Sequence, residues 1–464
     1  MEHTEDQLNP GLSAGDRIGG YELRRVVPLP VINAVCYELH HAETDARHIH
    51  VSRDDAENVF GVAFKTVPAD STGVAHILEH TALCGSRKFP VRDPFFSMIK
   101  RSLNTFMNAF TASDWTMYPF ATQNPKDFGN LLEVYLDAAF FPNLERLNFL
   151  QEGHRLDFEE DGRLVYRGVV FNEMKGAMSS PDQVMVRYLM NALYPDTTYG
   201  NNSGGEPSDI PKLTHEALLA FHRRHYHPSN SYFFTYGNLP LRGHLDRIEE
   251  NVLRHFARID PHTDVPNQPR WDVGREMTRA YPLDPSENPE KKSQSCLAWL
   301  TADIQDTYEV MVMALLGQIL LGNSAAPLRA ALLDSGLGSA LSDGSGYDAD
   351  NRDTMFVAGL KGIRESDAPE VELQYSLPDV WSVRVFVALC RKHGIRPYRY
   401  PRQRRTTVMV RVQETRFEQT VAAEFRTLHK ELTAYFNATV EHLIADAMKS
   451  DGSDETLEPR QLPG

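Results

Sequence analysis

Cysteine is scarce: Cys36, Cys84, Cys296 and Cys390 are the only four in 464 residues. No pair has the spacing of a zinc knuckle or a redox CxxC, and so few thiols suit a reducing compartment and a core without covalent staples. Basic residues are in deficit, 48 against 63 acids, for a net charge of −15. That balance argues against a dedicated nucleic-acid binder. Long apolar runs are missing as well. The longest, Val310 to Leu321, is broken by Gly317 and Gln318, short of the roughly 18 residues a membrane span needs, so no membrane partner is expected. Residues 1–16 contain no Lys or Arg and fit neither a secretory leader nor a mitochondrial transit peptide, which makes the cytoplasm the expected location. What remains is 41% hydrophobic and 24% charged, the composition of a globular chain. At about 150 residues per domain its length anticipates about three domains.

The pattern along the chain alternates strand-like and helix-like blocks, which predicts an α+β fold. Residues 1–19 form a loose polar lead-in. Strands are expected over 34–39, 59–64 and 231–237, from β-rich runs bounded by turn residues. A helix is expected over about 73–83, with Ser71 or Thr72 as its cap and Gly85 past its end. Apolar spacing extends helix over 127–140 and 171–190. Prolines 261, 266 and 269 mark a linker, placed at 258–275, between a first domain (20–257) and a second (276–370). The second domain has a strand over 293–301, a helix over 308–321 and a strand over 354–360. Residues 371–448 differ in character. Eight Lys or Arg and no acid lie between Arg391 and Arg411, followed by apolar residues every three or four positions from Phe417 to Leu443, a long amphipathic helix. A helix over about 379–393 and two strands, the second over about 406–412, precede it. The basic block is taken as a solvated loop, and nucleic acid is not an expected partner. Residues 449–464 are expected to be disordered.

The sharpest chemical signal is His76-Ile77-Leu78-Glu79-His80, an H-x-x-E-H sequence, the inverse of the H-E-x-x-H zinc site. On a helix, residues four apart share a face, so both imidazoles can meet one metal. Glu79 projects beside that face, within reach of a water on the metal without being a ligand. A hydrolytic zinc site needs a third protein ligand and an open fourth position. Spacing does not select that ligand: Glu133, Glu145, Glu152, Glu159, Glu160 and Glu173 are all candidates. Two further histidine groups, His40/His41/His48/His50 and His222/His225/His227, have no recognised metal spacing.

Three blocks, His76 to Ser86, Asn104 to Thr111 and Gly168 to Gly176, resemble in sequence and order the pitrilysin/insulin-degrading (inverzincin) metallopeptidase family, most nearly its presequence-protease branch. The resemblance covers roughly residues 20 to 365. It implies a pitrilysin-like domain, a mixed sheet packed with helices, then a second, incomplete domain of the same kind. It further implies one zinc ion per chain held by His76, His80 and Glu173, with Glu79 as general base. Asn108-Ala109-Phe110-Thr111 matches the family segment that pairs with an extended substrate by main-chain hydrogen bonds, with Asn108 and Ala109 as its substrate-binding residues. The implied activity is hydrolysis of peptide bonds in short or unfolded peptides inside a closed chamber. After about Gly362 the resemblance ends, leaving an unrelated C-terminal α/β module with a long helix where the family has a second half. The chain is therefore expected to self-associate or to need a partner chain that completes the chamber. The alternative reading is a catalytically weak peptide-binding or assembly protein that retains the fold.

Overall fold

A computed structural model describes residues 11–368, apart from 93, 272, 273 and 285, and the backbone of 398–402 and 405–409. The expected helices at 379–393 and 417–443 and the tail at 449–464 lie outside the described residues. The chain divides into two compact units. The first is residues 1–289 with Ala298–Leu300 and Asp348–Met355. The second is Glu290–Leu297, Thr301–Tyr347 and the chain from Phe356 onward.

The first unit runs β1 (Arg17–Ile18), β2 (Tyr21–Leu29), β3 (Ala34–His41), β4 (Arg47–Ser52), β5 (Asn58–Lys65), α1 (Val74–Ala82), α2 (Pro94–Arg101), β6 (Asn104–Met107), β7 (Phe110–Thr111), β8 (Trp115–Thr122), α3 (Pro125–Phe140), α4 (Arg146–Glu152), β9 (Arg155–Phe158), β10 (Leu164–Arg167), α5 (Val169–Ala177), α6 (Pro181–Leu193), α7 (His215–His225), β11 (Ser231–Gly237) and α8 (Leu241–Asn251). Nine strands form one sheet in the order β1-β2-β3-β4-β11-β5-β8-β6, with β7 also on β8. The sheet is mixed because β11 runs parallel to β4 and antiparallel to β5. Its strand residues alternate as a one-sided sheet requires. In β11, Ser231, Phe233, Thr235 and Gly237 are buried, while Tyr232, Phe234 and Tyr236 are only partly so. Helix α3 starts on Asn124, whose side chain accepts from the N–H groups of Lys126 and Asp127. It buries Phe128, Leu131, Leu132, Tyr135 and Leu136 in the core.

Two local expectations change. Neither Ser71 nor Thr72 caps α1: the cap is Gly73 at φ +72°, with no side-chain bond, and Thr72 bonds back to Asp70. Glycine takes that positive φ without steric cost, and it leaves room for the Gly204 carbonyl and Gly205 Cα, which a Cβ would meet at 2.8 and 2.9 Å. The helix expected over 171–190 is two helices, because Pro181 begins α6 and cannot continue α5. The stretch between α8 and residue 284 has no helix or strand among its described residues apart from a single 3-10 turn at 253–255. It is nonetheless tied down: buried Gln268 bonds to Asp196, and its N–H, with Asn267 and Arg270, donates to buried Asp353.

In the β9–β10 hairpin, Leu164 opposes Phe158 and Tyr166 opposes Leu156. These four side chains share one face, and all are exposed. The hairpin's base is pinched, since a Cβ on Gly168 would lie 2.0 Å from the Gly153 carbonyl oxygen.

The second unit contains most of β12 (Ser293–Asp303), then α9 (Thr307–Leu321), α10 (Pro327–Asp334), β13 (Ala340–Leu341), and most of β14 (Gly346–Asp348) and of β15 (Asp353–Ile363). Its sheet has the order β12-β15-β13, with β14 also on β15. Leu321, Leu332, Phe356, Leu360 and Ile363 form its core. A separate two-stranded ribbon pairs β16 (Tyr398–Arg402) with β17 (Arg405–Met409). No helix among the described residues is long and apolar enough to cross a membrane.

Candidate metal centre

Helix α1 is seated by Ile77 and Leu78, both fully buried. Each contributes about 1.5–3 kcal/mol to holding it in place. The opposite side of the helix carries His76 and His80, whose ring centroids are 5.0 Å apart. Glu173 arrives from α5, where Val170 and Phe171 turn into the core and Glu173 faces outward. Its Oε2 lies 3.7 Å from His76 Nε2 and 3.9 Å from His80 Nε2. One ligand atom from each of the three residues lies within 4.8 Å of the others, the single such group of His, Cys, Asp or Glu among the described residues.

The far nitrogens of both rings are occupied. His76 Nδ1 donates to the Gly204 carbonyl at 3.1 Å, and His80 Nδ1 donates to Glu152 Oε2 at 3.3 Å. A neutral imidazole that donates from Nδ1 has its lone pair on Nε2, so both tautomers are set with their acceptor nitrogens toward Glu173. The turn that offers Gly204 is fixed in its own right. Asn202 N–H donates to Ser71 Oγ, Glu206 N–H donates to the Ser71 carbonyl, and Arg187 pairs with Glu206 at 2.6 Å. Burial lowers the pKa of His80, but the Glu152 hydrogen bond and the charges of Glu79, Glu152 and Glu173 outweigh it, and the net shift is upward.

Glu79 is almost completely buried beside this group. Thr111 Oγ1 donates to its Oε2. Below lie Tyr118 and Tyr226, joined hydroxyl to hydroxyl at 2.9 Å. Burial foremost, with the Glu79 charge among the lesser causes, holds both phenols protonated.

Of the other carboxylates that spacing allowed, Glu152 contacts His80 on the side away from Glu173. Glu133 is exposed on α3, Glu145 precedes α4, and Glu159 pairs with Arg163 and Arg167. Glu160 is exposed in the loop between β9 and β10. Asn108 and Ala109 occupy the break between β6 and β7, at the open edge of the sheet. Asn108 N–H donates to the Pro119 carbonyl, and its side chain accepts from Ala109 N–H. The resemblance places Thr111 in the substrate-pairing segment and assigns it no role toward Glu79.

The other histidines serve structure. His48 Nε2 and His50 Nδ1 share Thr235 Oγ1, each at 2.8 Å. His222 bonds the Ala139 carbonyl, and His225 the Phe221 carbonyl. His227 Nδ1 accepts from Ser229 N–H. Burial depresses His222, His225 and His227 to about 4.

Comparison with known proteins matches residues 67–205 to the family described as Insulinase (Peptidase family M16), and residues 212–373 to the Peptidase M16 inactive domain. The chain is 49% identical over 365 residues to the mitochondrial presequence protease of Xenopus laevis, a match covering 78% of this chain and 36% of that protein. It is 41% identical over 365 residues to the mitochondrial presequence protease of Gibberella zeae, covering 77% and 36%. The chain thus spans about a third of the length of these relatives. In fold it is similar to the crystal structure of pitrilysin, with a TM-score of 0.53 at 16% identity over 81% of this chain and 38% of that one. The cytoplasmic location expected above is overturned, because these relatives are named mitochondrial. That expectation rested on the composition of the first few residues, which carries no address for a chain matching a third of its relatives.

Proposed function

This chain belongs to peptidase family M16, and from that premise we propose that it is a zinc-dependent metalloendopeptidase of the presequence-protease kind, acting on short or unfolded peptides in the mitochondrion. The observation that carries the reading is the convergence of His76, His80 and Glu173 with both Nδ1 atoms tied back. Two imidazole nitrogens and a carboxylate oxygen form the donor set of a hydrolytic zinc site. Ligands about 2.0–2.1 Å from a tetrahedral zinc stand roughly 3.4 Å apart, and the 3.7 and 3.9 Å separations are only a few tenths of an ångström wider. The residues fit one zinc ion per chain. When bound, the metal supplies Lewis acidity at the carbonyl of the bond to be cut.

The chain's own residues do the rest. Glu79 accepts the proton of the attacking water and returns it to the leaving amine. Its burial keeps that carboxylate in a low-dielectric setting where proton transfer is not diverted to bulk solvent. The edge of β6, with Asn108 and Ala109 at its end, takes an extended peptide as an added strand. Main-chain bonding there supplies affinity with little sequence preference.

A second reading is peptide binding or assembly without efficient turnover. It is favoured by Phe96, Leu103, Leu147 and Phe158, each more than 60% exposed, apolar side chains that self-association or a partner chain would cover. Zinc stoichiometry measured beside cleavage of a quenched unstructured peptide separates the two readings. For the peptidase, Glu79→Gln keeps the zinc and loses about 10² or more in rate. Equal rates in variant and parent place the base elsewhere. Zinc binding without turnover in the parent favours the second reading.

A further inference from the structure

The general base is reached from inside the sheet by a row of three threonines. Thr111 and Thr116 are direct cross-strand partners in β7 and β8, and Thr116 in turn opposes Phe64 in β5. Thr66, two residues beyond Phe64, completes the row. Thr66 Oγ1 and Thr116 Oγ1 are 2.8 Å apart, Thr116 Oγ1 and Thr111 Oγ1 are 3.4 Å apart, and Thr111 Oγ1 bonds Glu79 Oε2. Thr66 and Thr116 are fully buried. The hairpin tip is clamped, because Asp114 takes Thr66 N–H on its carbonyl and the Tyr199 hydroxyl on its carboxylate.

A hydroxyl has one proton to give, and an ionised carboxylate can only accept. Thr111 must therefore spend its proton on Glu79, and any bond between Thr116 and Thr111 is donated by Thr116. Glu79 Oε1 has no hydrogen-bond partner among the described residues. A buried carboxylate on a three-carbon side chain can adopt several rotamers, and one directed donor on a rigid hairpin selects among them.

We propose that Thr111 is a positioning residue for Glu79: its hydroxyl, backed by Thr116 and Thr66, pins Oε2 so that Oε1 is the oxygen presented for proton transfer. The role rests on the peptidase reading for its consequence in rate, but not for its consequence in geometry.

Two variants test it. Thr111→Val keeps the β-branched shape and removes the hydroxyl, and Thr111→Ser keeps the hydroxyl. In the zinc-loaded chain, kcat on a quenched unstructured peptide is expected to fall about tenfold or more in Thr111→Val, part of the roughly 10²–10⁴ a placed general base contributes. KM and zinc affinity stay near the parent's, and Thr111→Ser recovers most of the loss. Crystal structures of the metal-free parent and both variants supply the second readout. The Glu79 carboxylate is expected to change rotamer in Thr111→Val and to hold it in Thr111→Ser. A parent without turnover overturns the peptidase reading and leaves the crystallographic result to decide the positioning role. An unmoved Glu79 in Thr111→Val, or equal rate losses in Val and Ser, overturns the positioning role.

Discussion

Replacing Gly73 with alanine is expected to damage the metal centre from outside it. Gly73 begins α1 at φ +72°, a conformation that costs an L-residue with a Cβ about 1–2 kcal/mol. The new Cβ would lie 2.8 Å from the Gly204 carbonyl oxygen and 2.9 Å from Gly205 Cα. Both contacts are too close, and both atoms are backbone, so the 204–205 turn must withdraw against the Ser71, Asn202 and Glu206 bonds that hold it. The oxygen it would carry away is the acceptor for His76 Nδ1. Losing such an outer contact typically weakens metal binding about 10–100-fold. Zinc affinity by competition with a chromogenic chelator and urea unfolding of the metal-free protein measure the two effects. Gly243→Ala, in a helix with nothing near the added carbon, is the control and should be neutral or slightly stabilising. If Gly73→Ala binds zinc as tightly as the parent, the 204–205 turn does not set the His76 ring.

Glu173→Gln keeps the volume of the third donor but removes its charge, and zinc affinity in the same competition assay is expected to fall by at least about 10-fold. Unchanged affinity assigns the third ligand to another carboxylate. Acid should destabilise the fold well before carboxylates protonate. His222, His225, His227 and His244 are held down to about 4 by burial, whereas in the unfolded chain they titrate near 6.5. The unfolded state therefore binds more protons between those values. The stability is fully present above about pH 6.5 and is lost toward pH 4, by about 1.4 kcal/mol per pH unit for each histidine. Urea midpoints at pH 7, 5.5 and 4.5 should fall steeply, and a flat profile would show these rings to be solvated.

The elements that sequence exposes best are those whose own periodicity decides them. Helix α1 with its histidine pair, α3 and β11 are all visible in one dimension. What stays hidden depends on a second segment arriving from far along the chain. Ser71 and Thr72 are ordinary helix starters, and only the approach of residues 204–205 explains why Gly73 takes the position instead. The six glutamates look alike in sequence, and what singles out Glu173 as the candidate third donor is that α4 and α5 lie on opposite sides of His80, Glu152 toward Nδ1 and Glu173 toward Nε2. Thr111 looks like any strand threonine until β7 folds back on β8 beneath Glu79.

The hairpin between Glu152 and Glu173 has a consequence for searching genomes and for protein engineering. Its two ends are clamped where Gly168 meets Gly153, so the strands beyond that clasp form an appendix that supplies none of the three candidate donors His76, His80 and Glu173. Residues added or deleted at its tip alter the count between the two glutamates while leaving both carboxylates where His80 needs them. A search keyed to a fixed interval after the histidines would overlook relatives with a longer or shorter appendix. The tip is correspondingly a place to graft a reporter peptide or an affinity tag close to the pocket without disturbing it.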